Sequence, residues 1–174
     1  MAAKRFTDQL NVQITNELAA HNQYLACAVY YDAQTMPQMA AFFYGQALEE
    51  RDHAMMMVQY LLDSDAPVEL GAIPAAVSGF EDVVAPVALA LDQERRVTEQ
   101  IHDLFRIARE EVDFASEQFM SWFVKEQVEE VATISDLLAI ATRNQDHIND
   151  IEAYVAREQG GGGVDPTAPA IAGA

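Results

Sequence analysis

Apolar side chains recur at alternating steps of three and four over four long stretches, the spacing of helices that bury one face. The first stretch covers about residues 7–31 and aligns Leu10, Ile14, Glu17, His21, Tyr24 and Ala28. The second, about 37–63, aligns Met39, Phe43, Gln46, Glu50, His53 and Met57, and Pro37 suits the first position of a helix. The third, about 83–110, aligns Val87, Glu94, Val97, Ile101, Leu104 and Ala108. The fourth, about 113–142, aligns Phe119, Phe123, Gln127, Glu130, Ile134 and Leu137, and a shorter fifth helix fits about 146–158. No strand pattern competes, so the fold class is all-α.

Link lengths set the topology. The first and third connections are only a few residues long, so each joins antiparallel neighbours. The second, about residues 64–82, contains Pro67, Gly71, Pro74 and Gly79. Fully extended it could cover roughly 60 Å, whereas a helix of about 27 residues is roughly 40 Å long. It can therefore travel the whole bundle and start the third helix at the end where the second began. The expected architecture is a four-helix bundle of two hairpins joined by one long crossover, with a short fifth helix, occupying residues 1–159. From Gly160 onward a glycine run and an Ala/Pro stretch without an apolar or charged anchor read as a disordered tail, residues 160–174.

Carboxylates break each apolar stripe: Glu17, Glu50, Glu94, and Glu130 with Glu126 near it. A buried charge is costly unless it is paired or bound to a metal. Glu50 and His53 stand one turn apart on one face and can reach a common point. A lone E-x-x-H is weak, because many such pairs are solvated; four stripes interrupted in the same way point to a metal centre. Oxygen ligands with one imidazole and no thiolate favour Fe(II) or Mn(II) over structural zinc. Tyr24, near Glu17 on its stripe, can hydrogen-bond a ligand or carry an electron; equally, it can be a core tyrosine with a satisfied hydroxyl.

Composition narrows the partners. The chain has 174 residues, with 28 acidic against 10 basic ones and a formal charge of −18. That field repels phosphate backbones and anionic membranes and attracts cations. The single cysteine, Cys27, excludes an internal disulfide and reads as a packing residue. No signal peptide or membrane span is visible, which gives a cytoplasmic expectation.

The strings NELAAHNQY at 16–24, ALEERDHA at 47–54, ALDQER at 90–95 and WFVKEQVEE at 122–130 resemble bacterial non-haem ferritins, with similarity from about residue 6 to 158. The resemblance implies iron storage and detoxification in a ferritin-like bundle. Fe(II) would be oxidised by dioxygen or peroxide at a di-iron ferroxidase centre and laid down as hydrated ferric oxide inside a shell of twenty-four subunits. It implies Glu17, Glu50 and His53 at the first iron, and Glu50, Glu94 and Glu130 at the second. Gln127 lies beside the pair, and Glu49, Glu126 and Glu129, with Glu130, form an accessory third site. Those three acids can alternatively be a solvated acidic edge.

Departures are equally informative. The symmetric variant places a second E-x-x-H on the fourth helix, where this chain has Gln127 and Glu130. Haem-binding bacterioferritins carry a methionine after the bridging glutamate; Arg51 stands there, so haem is not expected. Glu117 matches a three-fold channel position, but the next channel acid of animal relatives corresponds to Met120. Met55, Met56 and Met57 read as packing, partly at a subunit contact, and His21, His102 and His147 as structural or exposed. Two other readings stand beside storage: a di-iron oxidase of an organic substrate, which needs an apolar cavity beside the metals, and an acidic, non-catalytic helical scaffold. Miniature ferritins of the starvation type build their site between subunits and do not need this within-chain set.

Overall fold

A computed structural model describes residues 2–158 and 165–173 of the chain. Five helices account for most of them: α1 (Lys4–Ala33), α2 (Pro37–Asp63), α3 (Ala85–Glu110), α4 (Phe114–Arg143) and α5 (Ile148–Glu158). Each matches a periodic stretch of the sequence, with ends displaced by at most three residues. Pro37 opens α2 at its first turn, and Asp113 caps α4 by accepting from the Ser116 backbone N–H at 3.1 Å. The same Asp113 carboxylate accepts from the Ala3 N–H at 2.8 Å, which ties the start of the chain to the α3–α4 turn. Burial alone would raise its pKa; these hydrogen bonds outweigh it and hold the carboxyl below its usual value.

Three helices end without glycine. Thr35, Asp65 and Val112 adopt φ of 60°, 53° and 55° just beyond α1, α2 and α3. In each turn the following N–H reaches back to close the helix, Met36 to Tyr31 O, Ala66 to Leu61 O and Asp113 to Ala108 O, at 2.9–3.0 Å. These are Schellman-type caps in which a side-chain-bearing residue takes the left-handed position that glycine fills at less cost.

The apolar core is in two parts. One cluster gathers Tyr24, Ala28, Tyr31, Met39, Phe43, Val87, Ala90, Ile134, Leu137, Ile151 and Val155. The other gathers Phe6, Leu10, Ile14, Met57, Leu61, Val97, Ile101, Leu104, Met120 and Phe123. Chain order through the clusters gives the helix directions. Helix α1 runs from the second cluster to the first, α2 returns, α3 starts again at the first, and α4 returns to it. The crossover thus spans the bundle, as its length predicts.

Helix α1 holds the crossover with polar side chains at intervals of four or eight. Asn11 donates to Pro67 O (3.0 Å) and accepts from the Glu69 N–H (2.7 Å). The Thr15 hydroxyl accepts from the Gly71 N–H at 3.2 Å, and a Cβ on Gly71 would lie 2.8 Å from that hydroxyl. Gln23 bonds both backbone groups of Val77 (2.8 and 2.9 Å), and Tyr31 donates to Val83 O (2.6 Å). An extended segment without strand partners thus has its backbone polar groups met by side chains.

Within the stretch expected as a tail, residues 165–173 lie against the bundle. The Trp122 indole N–H donates to Asp165 at 3.1 Å, Lys125 stands 3.5 Å from the same carboxylate, and the Ala172 N–H reaches Met55 O at 3.2 Å. Ala168, Ile171 and Ala172 pack on the second cluster, a modest apolar anchor that the composition of the stretch concealed. The glycine run and the proposed boundary at residue 159 lie outside the described residues.

Replacing the exposed, β-branched Thr35 with glycine relieves its left-handed strain. Thr35→Gly is expected to raise stability by about 1 kcal/mol, the usual cost of that conformation for a residue with a Cβ. Thermal unfolding of the two proteins side by side checks this; an unchanged or lower midpoint would refute it.

Candidate metal centre

The two apolar clusters meet at a polar layer, and every helix of the bundle contributes to it. On α1, Glu17 follows Ile14 of one cluster and precedes Tyr24 of the other. Glu50 and His53 lie between Ala47 and Met57 on α2, Glu94 between Leu91 and Val97 on α3, and Gln127 and Glu130 between Phe123 and Ile134 on α4. Side chains of opposite character are thus brought to one depth by helical register, while apolar packing above and below withholds water. Glu94 is fully buried, and Glu17, Glu50, His53, Gln127 and Glu130 are at most 6% exposed.

Within this layer, single ligand atoms of Glu17, Glu50 and His53 lie within 4.8 Å of one another. His53 Nδ1 is 3.2 Å from Glu50 Oε2, and Trp122 and Phe123 set their edges or faces against the imidazole at 5.6 and 5.7 Å between ring centres. Gln13 donates to Glu17 Oε1 at 2.9 Å, but Glu17 Oε2 is buried with no hydrogen-bond partner among the described residues. A buried carboxylate oxygen without a partner, among other acids, leaves a place that a cation could fill.

Glu94 is held from two sides. The Tyr24 hydroxyl donates a short hydrogen bond to its Oε1, and Gln127 donates to Oε2 at 3.4 Å. Gln127 is itself oriented by Thr98, whose hydroxyl donates to its carbonyl oxygen at 2.8 Å. Tyr24 therefore does both things its position allows: it fills the core, and it satisfies its hydroxyl on a carboxylate of the centre. Gln13 and Thr98, one turn from Glu17 and Glu94 on their own helices, are supporting residues that periodicity alone did not single out; the i, i+4 spacing was the available signal.

A second trio, Glu49, His53 and Glu126, likewise brings one ligand atom each to within 4.8 Å of the others and shares His53 with the first. It opens to a depression of about 910 Å³ rimmed by Glu49, Asp52, Lys125, Glu126, Glu129 and Asp165. Gln46 steadies Glu49 through a 2.8 Å hydrogen bond. Glu129 does not join the trio; it stands on the rim, 61% exposed and 3.5 Å from Lys125.

Like charges at this depth reshape the acids. Burial first, then Glu94, Glu17 and Glu130, pushes the Glu50 pKa well above the carboxylate range. Burial, then Glu49, Glu94 and Glu126, does the same to Glu130. Glu94 is raised by burial and Glu17, less strongly because the Tyr24 and Gln127 hydrogen bonds favour its ionised form. Burial with Glu94, Glu50 and Glu130 nearby keeps Tyr24 protonated, as a hydrogen-bond donor. Metal-free, the centre must take up protons or tolerate repulsion; divalent cations remove both costs.

The other residues marked in the sequence have ordinary roles. His21 Nδ1 lies 2.6 Å from Ala47 O, and His102 and His147 are exposed. Cys27 is buried, which pushes its thiol up to about 11. Glu117 pairs with Arg109 at 2.6 Å while Met120 is fully buried, and Met57 is core. No described helix is long and apolar enough to cross a membrane.

A raised carboxyl pKa in the folded state adds stability below the unfolded value, about 4.3 for glutamate, and that stability is lost as pH rises through the folded value. Metal-free wild type should therefore lose stability with rising pH more steeply than Glu50→Gln, so that the variant gains on it toward neutral pH. Excess redox-silent Mn(II) should reverse the order. Parallel melting-temperature profiles for the two metal-free proteins would contradict this account.

The sequence and fold have counterparts in known proteins. Residues 7–144 match the ferritin-like domain family. The ferritin BfrB of Mycolicibacterium smegmatis is 52% identical over 97% of this chain and 93% of its own length. For that of Mycobacterium tuberculosis the values are 47%, 98% and 91%, and for a bacterial non-heme ferritin of Staphylococcus aureus 34%, 88% and 93%. Among solved structures, an open pore ferritin from Archaeoglobus fulgidus superimposes with a TM-score of 0.88 over 93% of this chain and all of its own, at 26% identity. Fold, buried carboxylate layer and sequence agree, and the chain belongs to the ferritin family of iron-storage proteins.

Proposed function

We propose that this protein takes up Fe(II), oxidises it at the carboxylate layer and stores the Fe(III) as hydrated oxide within a closed shell of twenty-four copies in the cytoplasm. The observation that carries this reading is the convergence of acids from all four long helices at one buried depth, with Glu17 Oε2 left unpartnered. Here iron is substrate and cargo. Glu17, Glu50 and His53 hold one Fe(II), and Glu50, Glu94 and Glu130 the other, with Gln127 beside them. The ions give one electron each to an acceptor, dioxygen or peroxide, and hydrolysis of the resulting Fe(III) releases protons to solvent.

The protein's own contributions follow from its contacts. Tyr24 and Gln127 orient Glu94, so that its carboxylate meets the incoming ion without a search through rotamers. Trp122 and Phe123 fix the imidazole plane of His53. Burial of the acids makes the site favour cations over protons as pH rises. The acidic depression, with Glu49 and Glu126 sharing His53, gives an ion a way between the centre and the space beyond. Its charged rim suits ion traffic, while Leu48, Met56, Trp122, Ala168 and Ile171 line the same depression; a purely structural scaffold gains nothing from four buried acids.

Fe(II) added anaerobically to the metal-free protein, followed by oxygen, should give a rapid rise in Fe(III) absorbance that saturates near two irons per chain. His53→Ala and Glu50→Gln should slow that phase by at least about tenfold, the size of effect seen when metal ligation is disturbed, with assembly unchanged. Equal rates in wild type and both variants would reduce the layer to a passive ion-binding feature. Glu129→Gln, on the rim, should leave the rapid phase within about twofold of wild type.

A further inference from the structure

The α1–α3 side of the bundle is built unlike the acidic α2–α4 side. Between α1, α3 and the crossover lies a groove of about 220 Å³ whose polar lining is Asn16, Gln23, Gln93, Arg96 and Gln100, with no acidic residue. Two of these are committed: Gln23 to both backbone groups of Val77, and the Asn16 amide to Gln13 at 3.1 Å. The others are not. Gln93 is only 7% exposed, its Nε2 is fully buried, and its side chain makes no hydrogen bond among the described residues. Gln100 accepts from Gln13 at 3.1 Å through its carbonyl oxygen, which leaves its amide N–H groups unused.

Arg96 completes the set. Lys4, Arg5, Arg51, Arg106, Arg109 and Lys125 each stand within 3.6 Å of a carboxylate. Arg96, like Arg95, Arg143 and Arg157, has no such partner among the described residues, but of these four it is the one that lines the groove. An exposed guanidinium without a carboxylate partner and a buried amide with nothing to bond line the same groove, and donors of that kind suit an anion.

Residues 93, 96 and 100 follow one another at steps of three and four, so they share one face of α3 and present donors in a row. We propose that this groove binds a small tetrahedral oxyanion of the phosphate type, held by the Arg96 guanidinium and the amide N–H groups of Gln93 and Gln100. Three donor groups match an anion with oxygens in several directions; a planar carboxylate offers only two. At about 30 Å³ per water, the groove has room for such an ion and several waters. Gln100 is two hydrogen bonds from Glu17, through Gln13, so the anion sits at the outer end of an amide chain that reaches the metal centre. The site itself depends only on the groove and not on the oxidation proposed above.

Calorimetric titration of inorganic phosphate into the metal-free full-length protein at low ionic strength tests this without iron. One saturable site per chain is expected. Arg96→Gln should weaken it at least about tenfold, as loss of a charge-assisted contact does, and Gln93→Leu severalfold. Arg95→Gln, which changes the same charge outside the groove, should leave the affinity within about twofold. A parallel titration with glycerol phosphate identifies the source: tighter binding of the free ion assigns a phosphate site, and tighter binding of the ester assigns the same groove to a phosphate group on a larger molecule. Absence of saturable binding overturns the proposal. So do equal losses in Arg95→Gln and Arg96→Gln, which would mean diffuse charge attraction, and acetate binding as tightly as phosphate.

Discussion

Several carboxylates forced to one depth inside a helical bundle repel one another, and the rest of this structure is organised around containing that repulsion. Solvation would relieve it, but the Phe6–Phe123 cluster on one side and the Tyr24–Val155 cluster on the other keep water out. Hydrogen bonds relieve it in part: among the described residues Gln13, Tyr24 and Gln127 donate directly to Glu17 and Glu94, and His53 lies within bonding distance of Glu50. What remains is proton uptake, seen in the raised pKa values of Glu50 and Glu130, or cation binding. Apolar packing on both sides supplies the stability that lets such a layer exist. A bundle of short helices would not have the length to flank it twice.

The placement of Glu94 depends on a segment with no regular structure. Because the crossover runs the length of the bundle, α3 begins beside the end of α1, and Glu94 comes level with Tyr24. That path is held by the ladder of Asn11, Thr15, Gln23 and Tyr31 along α1. One helix thus does two tasks: its buried stripe carries Glu17 and Tyr24, and an adjacent stripe carries the polar groups that guide the chain to α3. A solved ferritin superimposes over 93% of this chain at only 26% identity, so the bundle with its crossover tolerates wide change in sequence.

Charge is distributed by side rather than evenly. Glu49, Asp52, Glu126, Glu129 and Asp165 gather around the depression between α2 and α4, where an incoming cation lowers the mutual repulsion of the acids. Amides and Arg96 line the groove between α1 and α3, where an anion meets uncommitted donors. The carboxylate layer lies between, so ions of opposite sign approach it through different walls. Asp165 adds to the acidic rim, with hydrogen bonds from Thr167 and Trp122 holding its carboxyl well below the usual range.

The helices, their order and the long crossover were legible because each rests on local rules: a period near 3.6, a proline at a first turn, and a loop longer than a helix. So was the burial of Glu17, Glu50, His53, Glu94 and Glu130 at one depth, since a carboxylate on a core stripe contradicts the stripe and has few remedies. Tertiary structure decided what depends on neighbours distant in sequence. It bonded Tyr24 to Glu94, gave His53 to two trios, kept Glu129 on the rim beside Lys125, and left the buried Gln93 amide without a partner among the described residues. It also laid residues 165–173 on the bundle, where Asp165 meets Trp122 across 43 positions. Periodicity reports which face of a helix is buried; which side chains meet there is settled only when helices from distant parts of the chain pack at one depth.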